Sequence, residues 1–256
     1  GFYWNPLANE IDRAAFEGVS AIINLAGANI GKRWTKSYKT EILQSRTLPA
    51  KLIFKTLKEI DHSISHFISA SGISLYPRSE TNLYVEESNE VDDTFLAEVV
   101  EAWEASANQF VSLGMDVSIV RTGMVLAKDG GVFEKLAQIV KLGLGAALGT
   151  GNQWQSWVHL TDAARIYLHI LTNELEGVYN AVAPNPVTNR KLNKQIAANL
   201  GSQLWLPNVP PFVLKLMLGE MAILALEGQL VSSRKLELSG YVFKYPNIEL
   251  ACSDLL

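Results

Sequence analysis

The sequence predicts an α/β protein built on a doubly wound parallel sheet, and two observations carry that prediction. Short apolar runs alternate along the chain with longer helical patterns. The runs are apolar throughout instead of alternating with polar residues, as suits strands of a parallel sheet covered on both faces.

Four such runs are strand candidates: residues 19–26 (VSAIINLA), 67–71 (FISAS), 116–120 (DVSIV) and 178–182 (VYNAV). Between them, residues 35–60 carry Ile42, Leu43, Ile53 and Leu57 at helical spacing, and Pro49 is expected to kink or split that helix. Residues 94–113 repeat Leu96, Val99, Val100, Trp103, Ala107 and Phe110 on one helical face. A further helix is expected over 162–171, with Thr161 or Asp162 as its cap. After Asn180 the rhythm changes. Pro184, Pro186, Pro207, Pro210 and Pro211 punctuate a smaller, mostly helical lobe with no clear paired strands. The chain opens on a strand-like triplet, Phe2-Tyr3-Trp4.

Composition narrows the function classes. With 256 residues, 48% hydrophobic and 19% charged, the chain can bury a sizeable core. Its 22 Lys+Arg and 26 Asp+Glu give a net charge of −4, which argues against a nucleic-acid partner. A single cysteine excludes an internal disulfide framework and a Cys-based zinc cluster. The most apolar stretch, 212–226, is interrupted by Lys215 and Glu220 and reads as an amphipathic helix, not a membrane span. The first residues have no secretory-signal pattern. A cytoplasmic protein with no membrane partner is the expectation.

Ligands of a doubly wound sheet sit at the carboxyl ends of its strands. Three predicted strand ends carry suitable residues. Asn24-Leu25-Ala26-Gly27 would let backbone approach a flat ligand, although a plain turn explains it equally well. Ser69-Ala70-Ser71-Gly72 is followed by Tyr76, and a hydroxyl with a nearby phenol can bind a carbonyl or hydroxyl; a Ser-rich turn with a packed Tyr is the plainer reading. Arg121-Thr122-Gly123 forms a third such turn. The GxxxGxG spacing of residues 145–151 imitates a dinucleotide fingerprint, but it follows a helical pattern instead of a strand, so it reads as a substrate-side loop. His62 and His66 lack a third ligand nearby and read as exposed turn histidines, so no metal is expected. His159 suits either a pocket wall or a buried structural position.

Taken together, NLAG, SAS-G, RTGMVL, SWVHLTD and GVYNAVAPNPVTN resemble the extended short-chain dehydrogenase/reductase superfamily. The match is narrower to its atypical sub-family of NAD(P)-dependent, nucleoside-diphosphate-sugar epimerase-like proteins, sometimes described as cell-division inhibitors. Arg33-Trp34, Ser45-Arg46, Trp103-Glu104, Gly149-Thr-Gly-Asn-Gln and residues 240–243 (GYVF) fit the same sub-family, so the resemblance covers essentially the whole chain.

It implies a Rossmann-type dinucleotide-binding domain over 1–126 and 157–183, and a substrate lobe over 127–156 and 184–256. It implies NADP, with NAD as the alternative, held by Asn24, Leu25, Ala26, Gly27, Arg46, Ser69 and Ala70, with Gly123 and Val125 toward the nicotinamide. Ser71 matches the strand-end hydroxyl that contacts substrate, and Gln153, Trp157 and His159 match the substrate-side loop. The expected substrate is a nucleotide sugar or other carbonyl compound, and a homodimer fits the resemblance.

Two departures stand out. None of the eight tyrosines has Lys four residues later, so the superfamily's Tyr-x-x-x-Lys pair is absent, and Leu96 and Val100 occupy its positions. Tyr76 is then the expected proton donor. The first β-α-β unit, with its Gly-rich loop, is expected to lie outside this sequence. The resulting expectation is an oxidoreductase or epimerase working by reversible hydride transfer, and the alternative is a catalytically silent NADP-binding or redox-sensing protein.

Overall fold

A computed structural model describes residues 1–256. Along the chain, β1 (Trp4–Asn5), β2 (Glu10–Ile11) and β3 (Ala21–Asn24) precede helix α1 (Lys36–Leu57). Next come β4 (His66–Gly72), β5 (Leu83–Tyr84), α2 (Phe95–Asn108), β6 (Asp116–Thr122), β7 (Met124–Leu126) and α3 (Gly131–Lys141). The chain continues through β8 (Trp154–Gln155), β9 (Trp157–His159), α4 (Leu160–Thr172), β10 (Gly177–Ala181), β11 (Val187–Thr188) and α5 (Asn189–Asn199). It ends with α6 (Pro211–Leu218), α7 (Ile223–Leu226), β12 (Leu230–Val231), α8 (Arg234–Leu238) and α9 (Ile248–Leu255). Two compact units result: Gly1–Leu75, Asp93–Arg121 and Tyr167–Tyr179 form one, and Tyr76–Asp92, Thr122–Ile166 and Asn180–Leu256 form the other.

The first unit holds a four-stranded sheet of order β10-β6-β4-β3. Strands β3 and β4 run parallel, in register from Ala21 opposite His66 to Asn24 opposite Ser69. The continuous apolar runs foretold this burial: Phe67 and Ile68 are fully covered, and Phe67 stacks on Phe110 with ring centroids 3.7 Å apart. Pro49 does not split α1, which runs unbroken through it. An interior proline costs roughly 3 kcal/mol. Burial of Leu52, Ile53 and Leu57 from the same helix returns roughly 1.5–3 kcal/mol each, so packing wins. His66 is also not an exposed turn residue; it is buried in β4 with Nε2 2.7 Å from Ser118 Oγ. Phe2-Tyr3-Trp4 enters a small antiparallel hairpin in which Trp4 pairs with Ile11.

The second unit packs Leu126, Phe133, Trp157, Leu192, Ile196 and Ile248 into one core. Contrary to the expectation of no paired strands, β11 pairs with β8 and β12 pairs with β5. These are two-residue ladders, too short to leave a periodic signature in sequence. The glycine-rich segment 145–151 is a loop after α3, tied by Gly149 N to Val209 O at 2.9 Å. Asp162 does not cap α4; it lies inside the first turn and is fully buried. Tertiary hydrogen bonds from residues 241–245 claim its carboxylate instead.

Candidate functional site

Seven of the expected residues gather at the carboxyl ends of β3 and β4 in the first unit, with Arg46 reaching them from α1. Asn24 ends β3 and is buried; its Oδ1 accepts the Ala26 amide at 3.3 Å, and its Nδ2 has no hydrogen-bond partner. Leu25 beyond it is exposed. Arg46 donates to the carbonyls of Ile42 (3.0 Å) and Ala28 (3.2 Å), and its guanidinium carbon lies 5.0 Å from the centre of the Trp103 ring. Burial lowers the Arg46 pKa from its ordinary value, against a smaller opposing effect of Tyr38. Ser45 Oγ accepts the Ala28 amide at 2.8 Å, which fixes the turn after Gly27. A Cβ on Gly27 would stand 3.2 Å from the Arg46 guanidinium carbon, so the glycine keeps this corner open. Trp103 is itself buried, and its indole N–H has no partner.

At the end of β4, Ser69 is buried and donates its hydroxyl proton to Ala70 O at 3.0 Å. Ser71 Oγ donates to Glu104 Oε1 at 2.7 Å. Arg121, near the end of β6, grips the same carboxylate with both ends of its fork, Nε to Oε1 and Nη2 to Oε2, each at 2.8 Å. The sequence motifs contained Glu104 and Arg121, but nothing in their spacing showed that they pair. Leu96 and Val100, in place of the Tyr-Lys pair, are buried on the same helix.

The other six expected residues belong to the second unit. Tyr76 is fully buried, stacks on Tyr84 at 5.3 Å and donates its hydroxyl proton to Asn180 Oδ1 at 2.9 Å. Asn180 in turn donates its amide to Glu86 Oε1 at 2.8 Å. Burial raises the Glu86 pKa above the ordinary carboxylate value, against smaller opposing effects led by that hydrogen bond. Gly123 lies so close to Ser156 that a Cβ would stand 2.3 Å from its carbonyl oxygen, so packing alone demands this glycine. Val125 pairs with Val158 between β7 and β9.

The substrate-side residues are interior. Trp157 is fully buried in the core, its indole donating to Asn185 O at 3.1 Å. His159 is stacked on Tyr245, accepts the Thr161 amide on Nδ1 at 3.1 Å, and holds Nε2 3.3 Å from Asp254 Oδ2 without an aligned hydrogen bond. Burial lowers its pKa, so the imidazole is neutral at pH 7. The structural alternative for His159 therefore describes its surroundings. Gln153 donates to Leu148 O (3.0 Å) and Ala225 O (2.7 Å), and its Oε1 is buried without a partner.

A parallel sheet with polar side chains collected at the carboxyl ends of its strands defines a Rossmann-type protein. The chain belongs to the NAD dependent epimerase/dehydratase family, whose profile matches residues 7–181. A second profile, a domain of unknown function, matches residues 209–255. An epimerase family protein of Staphylococcus saprophyticus is 36% identical over 239 residues, covering 93% of this chain and 80% of that protein. A counterpart in Staphylococcus aureus is 32% identical over 243 residues, covering 94% and 80%. Among solved structures, human epimerase family protein SDR39U1 (isoform 2) with NADPH is 31% identical with a TM-score of 0.85, covering 94% of this chain and 84% of that one. The nucleoside-diphosphate sugar epimerase of Corynebacterium glutamicum is 29% identical with a TM-score of 0.78, covering 99% and 49%.

The first unit's residues fit a dinucleotide. Asn24 Nδ2 and Trp103 Nε1 are buried donors without acceptors, which the phosphate, ribose and ring acceptors of such a ligand would supply. No helix is long and apolar enough to cross a membrane.

Proposed function

We propose that this chain is an NADP-dependent enzyme, with NAD the alternative cofactor, that interconverts a secondary hydroxyl and a carbonyl as an oxidoreductase or sugar-nucleotide epimerase. The observation that carries this reading is Ser71, a strand-end hydroxyl held by the half-buried Glu104 carboxylate, in a unit that also holds the unpartnered buried donors of Asn24 and Trp103. Asn24, Leu25, Ala26, Gly27, Arg46, Ser69 and Ala70 would hold the cofactor, and the relative solved with NADPH supports NADP. When bound, the nicotinamide supplies reversible acceptance of a hydride. Ser71 orients the reacting oxygen. Residues 1–126 and 157–183 would serve the cofactor, and 127–156 and 184–256 the substrate, in a cytoplasmic protein.

The proton path is placed away from Tyr76, because that hydroxyl is covered and already donates to Asn180. Gly123 and Val125 are assigned to packing within the second unit, Trp157 and His159 to its core, and Gln153, whose Oε1 lacks a donor, to substrate contact.

A second reading, a silent NADP-binding protein, is favoured by one observation: the positions of the Tyr-Lys pair hold buried Leu96 and Val100. One experiment decides. NADPH binding is followed by its fluorescence, oxidoreduction by absorbance at 340 nm with secondary alcohols and carbonyl compounds, and epimerisation by NMR of a panel of nucleotide sugars, since an epimerase returns its hydride and leaves the 340 nm signal unchanged. Binding with turnover supports the enzyme, binding without turnover supports the silent protein, and absence of binding overturns both.

A further inference from the structure

The Ser71–Glu104–Arg121 cluster does more than brace a turn. Glu104 stands one helical turn after Val100, on the face of α2 that meets β4, where an added Cβ on Gly72 would lie 3.7 Å from Val100 Cγ2. Its side chain is 12% exposed and that of Arg121 is 9% exposed. Both carboxylate oxygens face guanidinium N–H groups, which can only donate, so Glu104 carries no proton here. Ser71 has one hydroxyl proton, and the acceptor-only carboxylate takes it. What Ser71 presents to a ligand is therefore its lone pairs. A carbonyl oxygen would face acceptor against acceptor, whereas a hydroxyl can donate.

We infer that Ser71 and Glu104 form a proton relay that replaces the missing Tyr-Lys pair and selects a secondary alcohol as the bound substrate. This rests on the hydride-transfer reading above. As the alcohol is oxidised, its O–H bond breaks and the proton passes to Ser71 Oγ, while Ser71 releases its own proton to Glu104 Oε1. The C–H bond of the same carbon would give its hydride to a bound oxidised nicotinamide as the C=O bond forms, so two electrons and one hydrogen would leave the carbon and one proton would rest on Glu104. Glu104 acts through Ser71 as a positioning residue and proton acceptor. Arg121 is the charged group facing it, and its fork keeps the carboxylate aimed at the serine.

The test uses the full chain with NADP+ and the variants Glu104→Gln and Ser71→Ala, checked for folding by urea denaturation and for NADPH binding by fluorescence. Glu104→Gln keeps a hydrogen-bonding partner for Ser71 but cannot take its proton. Both variants are expected to bind NADPH like the parent and to lose at least ~100-fold in kcat, the scale of general acid–base catalysis. Calorimetry with UDP-glucose and its 4-keto-6-deoxy derivative gives a readout without turnover: the parent prefers the alcohol, and Glu104→Gln, which frees Ser71 to donate, loses that preference. If Glu104→Gln fails to fold, Ser71→Ala alone decides through the rate and the alcohol preference. A parent that turns over while the folded variants keep its rate and alcohol preference overturns the relay alone. A parent that binds NADPH and neither turns over nor binds either sugar nucleotide overturns the hydride-transfer reading, and the relay with it.

Discussion

Asp162, with no exposed surface, accepts the backbone amide of Tyr245 on Oδ2 at 2.8 Å. Its other oxygen accepts the Tyr241 hydroxyl at 2.8 Å and the Lys244 amide at 2.9 Å, so one carboxylate organises the whole 241–245 segment. Asp162→Ala would strand three donors, each costing ~1–3 kcal/mol when buried without a partner, and should destabilise the protein by about 3–5 kcal/mol. Urea denaturation measures this; a loss below about 1 kcal/mol would show that water replaces the carboxylate.

Two glycines of the expected cofactor site should respond oppositely to alanine. At Gly123 the new methyl meets the Ser156 carbonyl at 2.3 Å and Val182 Cγ1 at 2.8 Å, and overpacking of this kind costs about 1–3 kcal/mol. At Gly27 it meets the Arg46 side chain, tightest at the guanidinium carbon at 3.2 Å, with Cγ at an ordinary 3.5 Å, so the end of the side chain can shift to make room. Gly27→Ala is therefore expected to leave the urea midpoint nearly unchanged and to weaken NADPH binding by roughly tenfold, about 1.4 kcal/mol. Equal thermal shifts in the two variants would contradict this division.

Tyr76→Phe removes the donor to Asn180 Oδ1 inside the second unit. A loss of about 1–2 kcal/mol is expected from the stranded acceptor. Turnover per folded molecule should persist, because the proton path is placed elsewhere. A fall of 100-fold in kcat with normal NADPH binding would return Tyr76 to the role of proton donor.

Glu86 gives a pH signature. Burial raises its pKa in the folded protein, so its contribution is favourable at low pH and is lost as pH rises through the folded value. At pH 7 the buried charge opposes folding. Glu86→Gln, which still accepts the Asn180 amide, should raise the urea midpoint at pH 7, and the gain should vanish below about pH 4, where the carboxyl is protonated in both states. A gain that persists at pH 3 would indicate a packing effect instead.

Much of the fold was legible from apolar patterning. The runs containing Ile22, Phe67, Ile119 and Tyr179 all became sheet strands; the central strands β4 and β6 are buried on both faces and so must be apolar throughout, while Ile23 in edge strand β3 stays exposed. Pro49 does not split α1 as it could have, because local propensity carries no information about the core that keeps the helix unbroken. His66 misled for a similar reason: its partner, Ser118, is 52 residues away in sequence. Candidate cofactor residues such as Asn24 and Arg46 were nameable from motif, while the donor orphaned on Trp103 was not, since an unpaired indole N–H exists only relative to the atoms around it.

By itself the sequence determined the layered α/β architecture, the family resemblance and the absence of Tyr-x-x-x-Lys, because each follows from residue identity and short-range spacing. Only the tertiary structure decided which polar groups meet. It brought Ser71 onto Glu104, 33 residues away, and Glu104 onto Arg121. It also turned Asp162 from an expected helix cap into the buried anchor of residues 241–245, 79 or more positions along the chain. Hydrogen bonds act over about 3 Å, and the parallel crossovers that close such distances join residues that no local pattern relates.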